Sequence, residues 1–347
     1  MLQRESYFDN AKFILIILVV FGHLLQSYIH DSEIIYIVYK VIYTFHMPAF
    51  ILVSGYFAKG FRKKGYMMKI SKKIILPYLI FQMIYSVFYY YLYHQSELVV
   101  DPLTPHWSLW YLLSLFFWNI MLYPFAKLKG SISLFIALII GLGIGFFDSF
   151  SEFLSLSRTF VYFPFFLLGY FLQKEHFTRL RKPAMKFVSF FIIVGVSTFF
   201  YFQTDFDYEW LLGRKSYHEL NILNHMAVFM RSGFYLLSFL MVFSFYAIVP
   251  RKRFFFTNLG RNTLYVYLLH GFIVRFFRAS EVQDYIHSPT NYFMLVGFAL
   301  LLTILLSSNL LTAFAQPIIE LKLTRLKEFL VKTKVYVSFY KKKLTSH

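Results

Sequence analysis

Three histidines sit inside apolar stretches of this chain, in Phe21-Gly22-His23, in Phe45-His46-Met47-Pro48 and in Leu268-Leu269-His270-Gly271. A neutral imidazole has one nitrogen that gives a proton and one that takes it, which suits general acid–base work on a hydroxyl. A ring nitrogen can also carry an acyl group between two partners. Ionisable groups so deep in apolar sequence are costly, so they point to a pathway or a reaction centre. The plainer alternative, a hydrogen bond to a neighbouring helix, stays open for each ring.

Lys12 lies eleven residues before His23. On a helix the two fall within about 20° of one another and about 16 Å apart along the axis. Asp9, three residues before Lys12, joins the same stripe. One polar line thus leads from the surface into the interior; the competing reading is a Lys12 that snorkels to headgroups. Pro48 follows His46 by two residues, removes a backbone donor and crowds the carbonyl near Thr44. A kink or local unwinding is expected there, with freed N–H groups for a developing oxyanion. Arg158 precedes the run Tyr162-Phe163-Pro164-Phe165-Phe166, with Glu152 as its natural ion-pair partner. Trp107, Trp110 and Tyr111 read most simply as an aromatic belt.

Other chemistries are excluded. The chain has no cysteine, so no thiol nucleophile and no disulfide. No histidine pair has metal-ligand spacing with a carboxylate, and no Gly-x-Ser-x-Gly elbow occurs. The run Gly141-Leu142-Gly143-Ile144-Gly145 lies in apolar sequence with no strand before it, so it reads as close helix packing rather than a nucleotide loop.

The elements that must position these groups are membrane helices. Hydrophobic residues make up 58% of the chain and charged ones 15%, the balance of an integral membrane protein. The apolar blocks are too long for barrel strands. The expected fold is all-α, a polytopic bundle of about ten spans near residues 11–29, 35–58, 71–93, 108–125, 132–147, 160–173, 187–202, 228–249, 262–277 and 291–314. The first block reads as a retained helix, not a signal peptide. The sixth is short, and reads as tilted, extended or covered by neighbours. Alternating the loops places 28 of 35 basic residues on one side and 12 of 17 acids on the other. The basic side is cytoplasmic by the positive-inside rule, with both termini on it. The net charge of +18 therefore reflects topology and attraction to anionic membrane lipid, not nucleic acid. Residues 1–320 form one membrane domain; 321–347 form a basic cytoplasmic tail, an interfacial helix followed by a loose end. No internal repeat is visible, which argues against a secondary transporter.

Taken together, five segments resemble the membrane acyltransferase-3 family. They are Tyr7-Phe8-Asp9-Asn10-Ala11-Lys12 through Gly22-His23, Phe45-His46-Met47-Pro48 with Ser54-Gly55-Tyr56-Phe57, and Leu109-Trp110-Tyr111-Leu112. Arg158 with its aromatic run and Leu259-Gly260-Arg261-Asn262-Thr263-Leu264 through His270-Gly271 complete the set. Within the family the look is of fucose-4-O-acetylase-like and polysaccharide-intercellular-adhesin modification proteins. The resemblance implies ten helices, an acyl donor such as acetyl-CoA at the cytoplasmic face, and transfer to a sugar hydroxyl at or beyond the membrane. The family's basic residue and histidine fall on Lys12 and His23, and its pair of basic residues near the second helix falls on Lys59 and Arg62.

The expected activity is acyl-CoA-dependent O-acyltransfer, with acetyl as the expected acyl group, at the plasma membrane of a bacterium. Its acceptor would be a polysaccharide or lipid-linked sugar, with a glycan synthase complex as a conceivable partner. His23, His46 and Lys12 would be catalytic, His23 as base or acyl carrier and His46 as orienting group or oxyanion donor. Asp9, Lys59, Arg62, Lys63 and Lys64 would hold the donor. Arg158, Trp110, Tyr111 and His270 would hold the acceptor. No permanently bound cofactor or metal is expected, with acetyl-CoA as co-substrate only. The runner-up is an exporter of a glycan or lipid-linked intermediate, and a third reading is a scaffold for a synthase.

Overall fold

The computed structural model describes residues 5–222, 225–286 and 289–331, which contain helices and no strand. In chain order these are α1 (Ser6–Leu25), α2 (Glu33–Phe57), α3 (Tyr66–Leu92), α4 (Trp110–Phe125), α5 (Gly130–Gly143), α6 (Leu156–Phe171) and α7 (Lys174–Leu180). After them come α8 (Pro183–Phe202), α9 (Glu209–Leu212), α10 (His225–Ile248), α11 (Thr263–Ala279), α12 (Pro289–Ser307) and α13 (Asn309–Ile319). Among the described residues seven helices are long and apolar enough to cross a bilayer, or eight if the bent pair α12–α13 is one span. Each of the ten apolar stretches of sequence falls on a helix, but α5 and α11 are not among those seven.

Three local expectations need correcting. The tenth stretch does not run to residue 314. Ser308 caps a new helix by accepting from Leu311 N, and the chain bends there by 64°. A serine at this position competes with helix continuation by offering its side chain to the next turn. At Pro48 the expected unwinding is missing, and α2 is helical from Glu33 to Phe57. Of the three glycines at 141–145, Gly141 and Gly145 do pack closely, against Tyr235 and Tyr217, while Gly143 faces open space.

Contacts between connecting segments define two ends of the bundle. At one, Asn10 donates to the carbonyls of Pro250 and Lys252, Lys59 to that of Leu172, and Arg62 to that of Ala126. Most of the basic loops gather here, and this is called the basic end. At the other, Lys40 donates to the carbonyls of Gln203 and Thr204, Leu154 N to Leu103 O, and Ser151 to Glu219. This is the acidic end. Residues 324–331 are helical and return to the basic end, where Arg325 Nη1 donates to Asn262 Oδ1 at 3.0 Å. The loose tail end expected over 332–347 lies outside the described residues.

Helix α6, short by sequence, is covered by its neighbours, and α2 crosses it backbone to backbone. A Cβ on Gly55 would lie 1.9 Å from Phe166 O, and one on Gly169 would lie 1.9 Å from Leu52 O. Small residues at such a crossing let two membrane helices gain van der Waals contact along their backbones. Tyrosines tie the rest together. Tyr246 on α10 donates to Ala49 O at 2.7 Å, and Tyr7 on α1 donates to Tyr246 O.

Replacing Gly169 by valine should therefore destabilise the fold by about 3 kcal/mol or more, the upper end for overpacking, because backbone has no rotamer to yield. Gly143→Ala should be neutral. Thermal denaturation of both variants in detergent, followed by size-exclusion, measures the difference.

Candidate active site

Helices α1 and α2 each turn one stripe toward the middle of the bundle. On α1 the stripe is Lys12, Ile16, Val19 and His23; on α2 it is Tyr39, Tyr43, His46, Met47, Phe50 and Ser54. These spacings are those of one helical face. Two cavities lie along them. A polar chamber of about 110 Å³ includes His23, His46, Tyr43, Trp110, Arg158 and Arg214 in its wall. An apolar chamber of about 310 Å³ includes Lys12, Lys73, Ile16, Phe50 and Leu115. Val19, Met47 and Tyr267 line both, so these three side chains stand at the boundary between them, here called the neck.

Two of the three histidines, His46 and His270, have their tautomer set by a backbone carbonyl. His46 Nδ1 lies 2.9 Å from Ile42 O. A carbonyl only accepts, so Nδ1 carries a proton, and in the neutral ring Nε2 keeps its lone pair. His270 is held in the same way by Val266 O at 2.9 Å, and its buried Nε2 has no hydrogen-bond partner among the described residues. The His270 ring stacks on His23 with centroids 5.5 Å apart, and Trp107 packs on His23 at 4.3 Å. Tyr43 stands between the other two, its hydroxyl 3.5 Å from His23 Nδ1 and its ring edge-on to His46 at 4.5 Å. Arg278 donates to the carbonyl of His23 and to Gln26 Oε1, so a cation caps the last turn of α1.

At the acidic end of this chamber Arg158 lies over the Trp110 ring at 4.9 Å and donates from Nε to Leu212 O at 3.3 Å. The expected partner Glu152 is not within ion-pair distance; the carboxylate here is Glu209, which binds Arg214 through two bonds of 2.9 and 2.6 Å. That pairing holds Arg214 above its ordinary pKa. Trp107 and Trp110 are therefore not a lipid-facing belt, since both line the polar chamber. Tyr111 is buried too, but faces the apolar chamber, where its hydroxyl lies 2.6 Å from Ser54 Oγ.

The start of α1 is bound to the turn before α11. Asp9, 2% exposed, lies 2.9 Å from Lys12 Nζ and 3.4 Å from Arg261 Nε. Lys12 thus does not snorkel to the surface. Asn10 accepts from Thr257 at 2.6 Å while its amide donates to Pro250 O and Lys252 O. A Cβ on Gly260 would lie 1.9 Å from Asp9 O, which is why the turn can sit so close. Asp9, expected at the donor site, is thus an ion partner inside the protein.

The remaining donor-site expectations are not gathered at either chamber. Lys59 is spent on Leu172 O and the Tyr56 ring, and Arg62 on Ala126 O and the Phe61 ring. Lys63 and Lys64 stand exposed on the turn. Sequence reading missed Tyr39 and Tyr43, although they lie seven and three residues before His46 on its own helix face. It also missed Lys73 and Arg214, whose positions depend on packing between distant segments. Among the described residues no cluster fit to hold a metal ion is present.

Comparison with known proteins adds the following. Residues 5–308 match the family described as Acyltransferase domain. The nodulation protein NolL of Sinorhizobium fredii is 51% identical over 61 residues, 17% of this chain and 17% of its own. NolL of Mesorhizobium japonicum is 48% identical over 61 residues, 17% of this chain and 16% of its own. The matched region thus spans about a sixth of the length of these curated relatives. No solved structure matches the chain.

Removing the Asp9 carboxylate leaves Lys12 and Arg261 without their shared anion. Asp9→Ala should cost about 2 kcal/mol, below the range for fully buried pairs because Arg261 is 46% exposed. The double change Asp9→Ala with Lys12→Met should recover part of that loss in a thermal-denaturation cycle.

Proposed function

The chain belongs to the acyltransferase-3 family of membrane acyltransferases, and from that membership we propose that it moves an acyl group from acyl-CoA to a sugar hydroxyl. The observation that carries this reading is the pair of chambers meeting at Val19, Met47 and Tyr267, with His23 and His46 on the polar side. The chain crosses the membrane ten times in this reading, with both termini and the basic end in the cytoplasm of a bacterium and the acidic end outside.

The donor enters from the basic end. Its narrow arm lies in the apolar chamber, and the thioester reaches the neck. The acceptor hydroxyl enters the polar chamber from the acidic end. Its oxygen attacks the acyl carbonyl, the carbon–sulfur bond breaks, and the hydroxyl proton passes through a histidine to the leaving thiolate. With its Nδ1–H engaged by Ile42, neutral His46 presents an acceptor nitrogen at Nε2. It is therefore suited to take the proton, and not to donate to an oxyanion as the sequence suggested. Tyr43, between the two rings, is the hydroxyl placed to donate to that oxygen. His23 meets the acyl group, as a positioning partner or a transient carrier.

Arg158 and Trp110 offer a cation and an indole to the acceptor, a capsule, exopolysaccharide or lipid-linked sugar. A polar chamber of about 110 Å³ fits acyl relay better than passage of a whole glycan. Val19, Met47 and Tyr267 keep water from the thioester.

In liposomes with acetyl-CoA and acceptor glycan, the protein should release free CoA and O-acetylate the glycan. His23→Ala and His46→Ala should each lower the rate on the order of 10²–10⁴-fold, the usual worth of a general base, with unchanged protein in the membrane. Wild-type rates in both variants would overturn the assignment, and glycan movement without CoA release would favour export. Arg158→Lys should keep the charge but lose the planar stack on Trp110, raising the KM for acceptor more than it lowers kcat.

A further inference from the structure

Beside the apolar chamber lies a second cavity at the basic end, a polar cleft of about 550 Å³ whose wall includes Arg253, Arg261, Arg325, Asn258, Asn262 and Glu328. We infer that this cleft is the seat for the phosphates of the donor's nucleotide, in place of the lysines and arginine of the 59–64 turn. The inference rests on the acyl-CoA reading above and names the part of the site that would hold the head of that molecule.

Two placements carry it. Arg261 and Asn262 line the cleft, and the next two residues, Thr263 and Leu264, line the apolar chamber. Consecutive Cα atoms are about 3.8 Å apart, so the two walls adjoin within one turn of chain. Asp9 then joins the mouths directly, holding Arg261 of the cleft and Lys12 of the chamber on one carboxylate. A ligand that fits both spaces has a polyanionic head and a slender, mostly apolar arm. That is the shape of a phosphorylated nucleotide with a pantetheine chain.

The cleft is also built for phosphate. Three arginines and one carboxylate, Glu328, line the wall, and each guanidinium is steadied by a neighbour. Arg253 donates to Asn258 Oδ1 at 3.3 Å, Arg325 to Asn262 Oδ1 at 3.0 Å, and Arg261 to Asp9. Asn262 is itself fixed by donating to Ser307 O at 2.8 Å, and Arg325 lies over the Tyr265 ring at 5.2 Å. A guanidinium has five N–H donors in a planar fork, so these single bonds orient it and leave donors for phosphate oxygens. Anionic lipid headgroups share that chemistry and are the other source of phosphate at this end.

The test uses the full chain purified in neutral detergent, with CoA and adenosine 3′,5′-bisphosphate as calorimetric probes. Arg253→Ala and Arg325→Ala should each weaken CoA binding about tenfold, the worth of one charge-assisted hydrogen bond. The KM for acetyl-CoA should rise with kcat unchanged. Acetyl-pantetheine, which lacks the nucleotide, should be used equally by wild type and variants. Unchanged CoA affinity in the double variant would overturn the inference. So would an equal loss with acetyl-pantetheine, which would mean damage to the fold. Competition by phosphatidylglycerol vesicles but not by the bisphosphate would assign the cleft to lipid and overturn it as well. CoA binding that depends on both arginines, in a protein that acylates nothing, would support the cleft while sinking the transferase reading.

Discussion

Asp9 is the charge on which the basic end of this bundle turns. A carboxylate so nearly sealed from solvent costs several kcal/mol unless it is paired. Lys12 one turn along α1 and Arg261 from the turn before α11 both answer it. Its place in the first turn of α1 adds the favourable end of the helix dipole. Because Lys12 faces the apolar chamber and Arg261 faces the arginine cleft, neutralising Asp9 also fixes the distance between the two spaces. Asn10 reinforces the same joint with neutral hydrogen bonds, so the register of α1 does not rest on charge alone.

From that joint α1 acts as a strut. Its far end is capped by Arg278, which places the carbonyl of His23 and therefore the ring. Across from it, α2 is held rigidly by the glycine crossing with α6. The chamber-lining stripe of α2 thus lies on a helix with little freedom to shift. A site built on two fixed helices keeps its groups aligned better than one built on loops. The neck is a consequence of the same geometry. Val19 from α1, Met47 from α2 and Tyr267 from α11 meet where three stripes converge.

At the acidic end each cation has a local assignment. Lys40 lies against the Tyr36 ring at 4.1 Å and two carbonyls, Arg231 against the Tyr217 ring at 4.7 Å, and Arg214 on Glu209. Arg158 has an indole and a carbonyl oxygen, both neutral, and among the described residues no carboxylate lies within 4 Å of it. A cation so placed on the wall of a chamber with two histidines gives that chamber a positive cast.

Much of this was legible in the residues themselves. Apolar length gave helices, and the spacing of Lys12 and His23 put both on one face of α1, because helical periodicity is a local property. The sorting of charge gave the two ends, since connecting loops alternate. The order of five short segments gave the family. What sequence could not give was contact between distant segments. Which basic residues reach a cavity, that Trp107 packs on His23, and that His46 donates from Nδ1 to the carbonyl of Ile42 are all decided by side-chain geometry after packing. So is the break at Ser308, where a local cap outweighs a continuous apolar run. The pairing of Asp9 with Arg261, 252 positions later in the chain, is the clearest case: no local pattern encodes it, and only the folded bundle brings the two together.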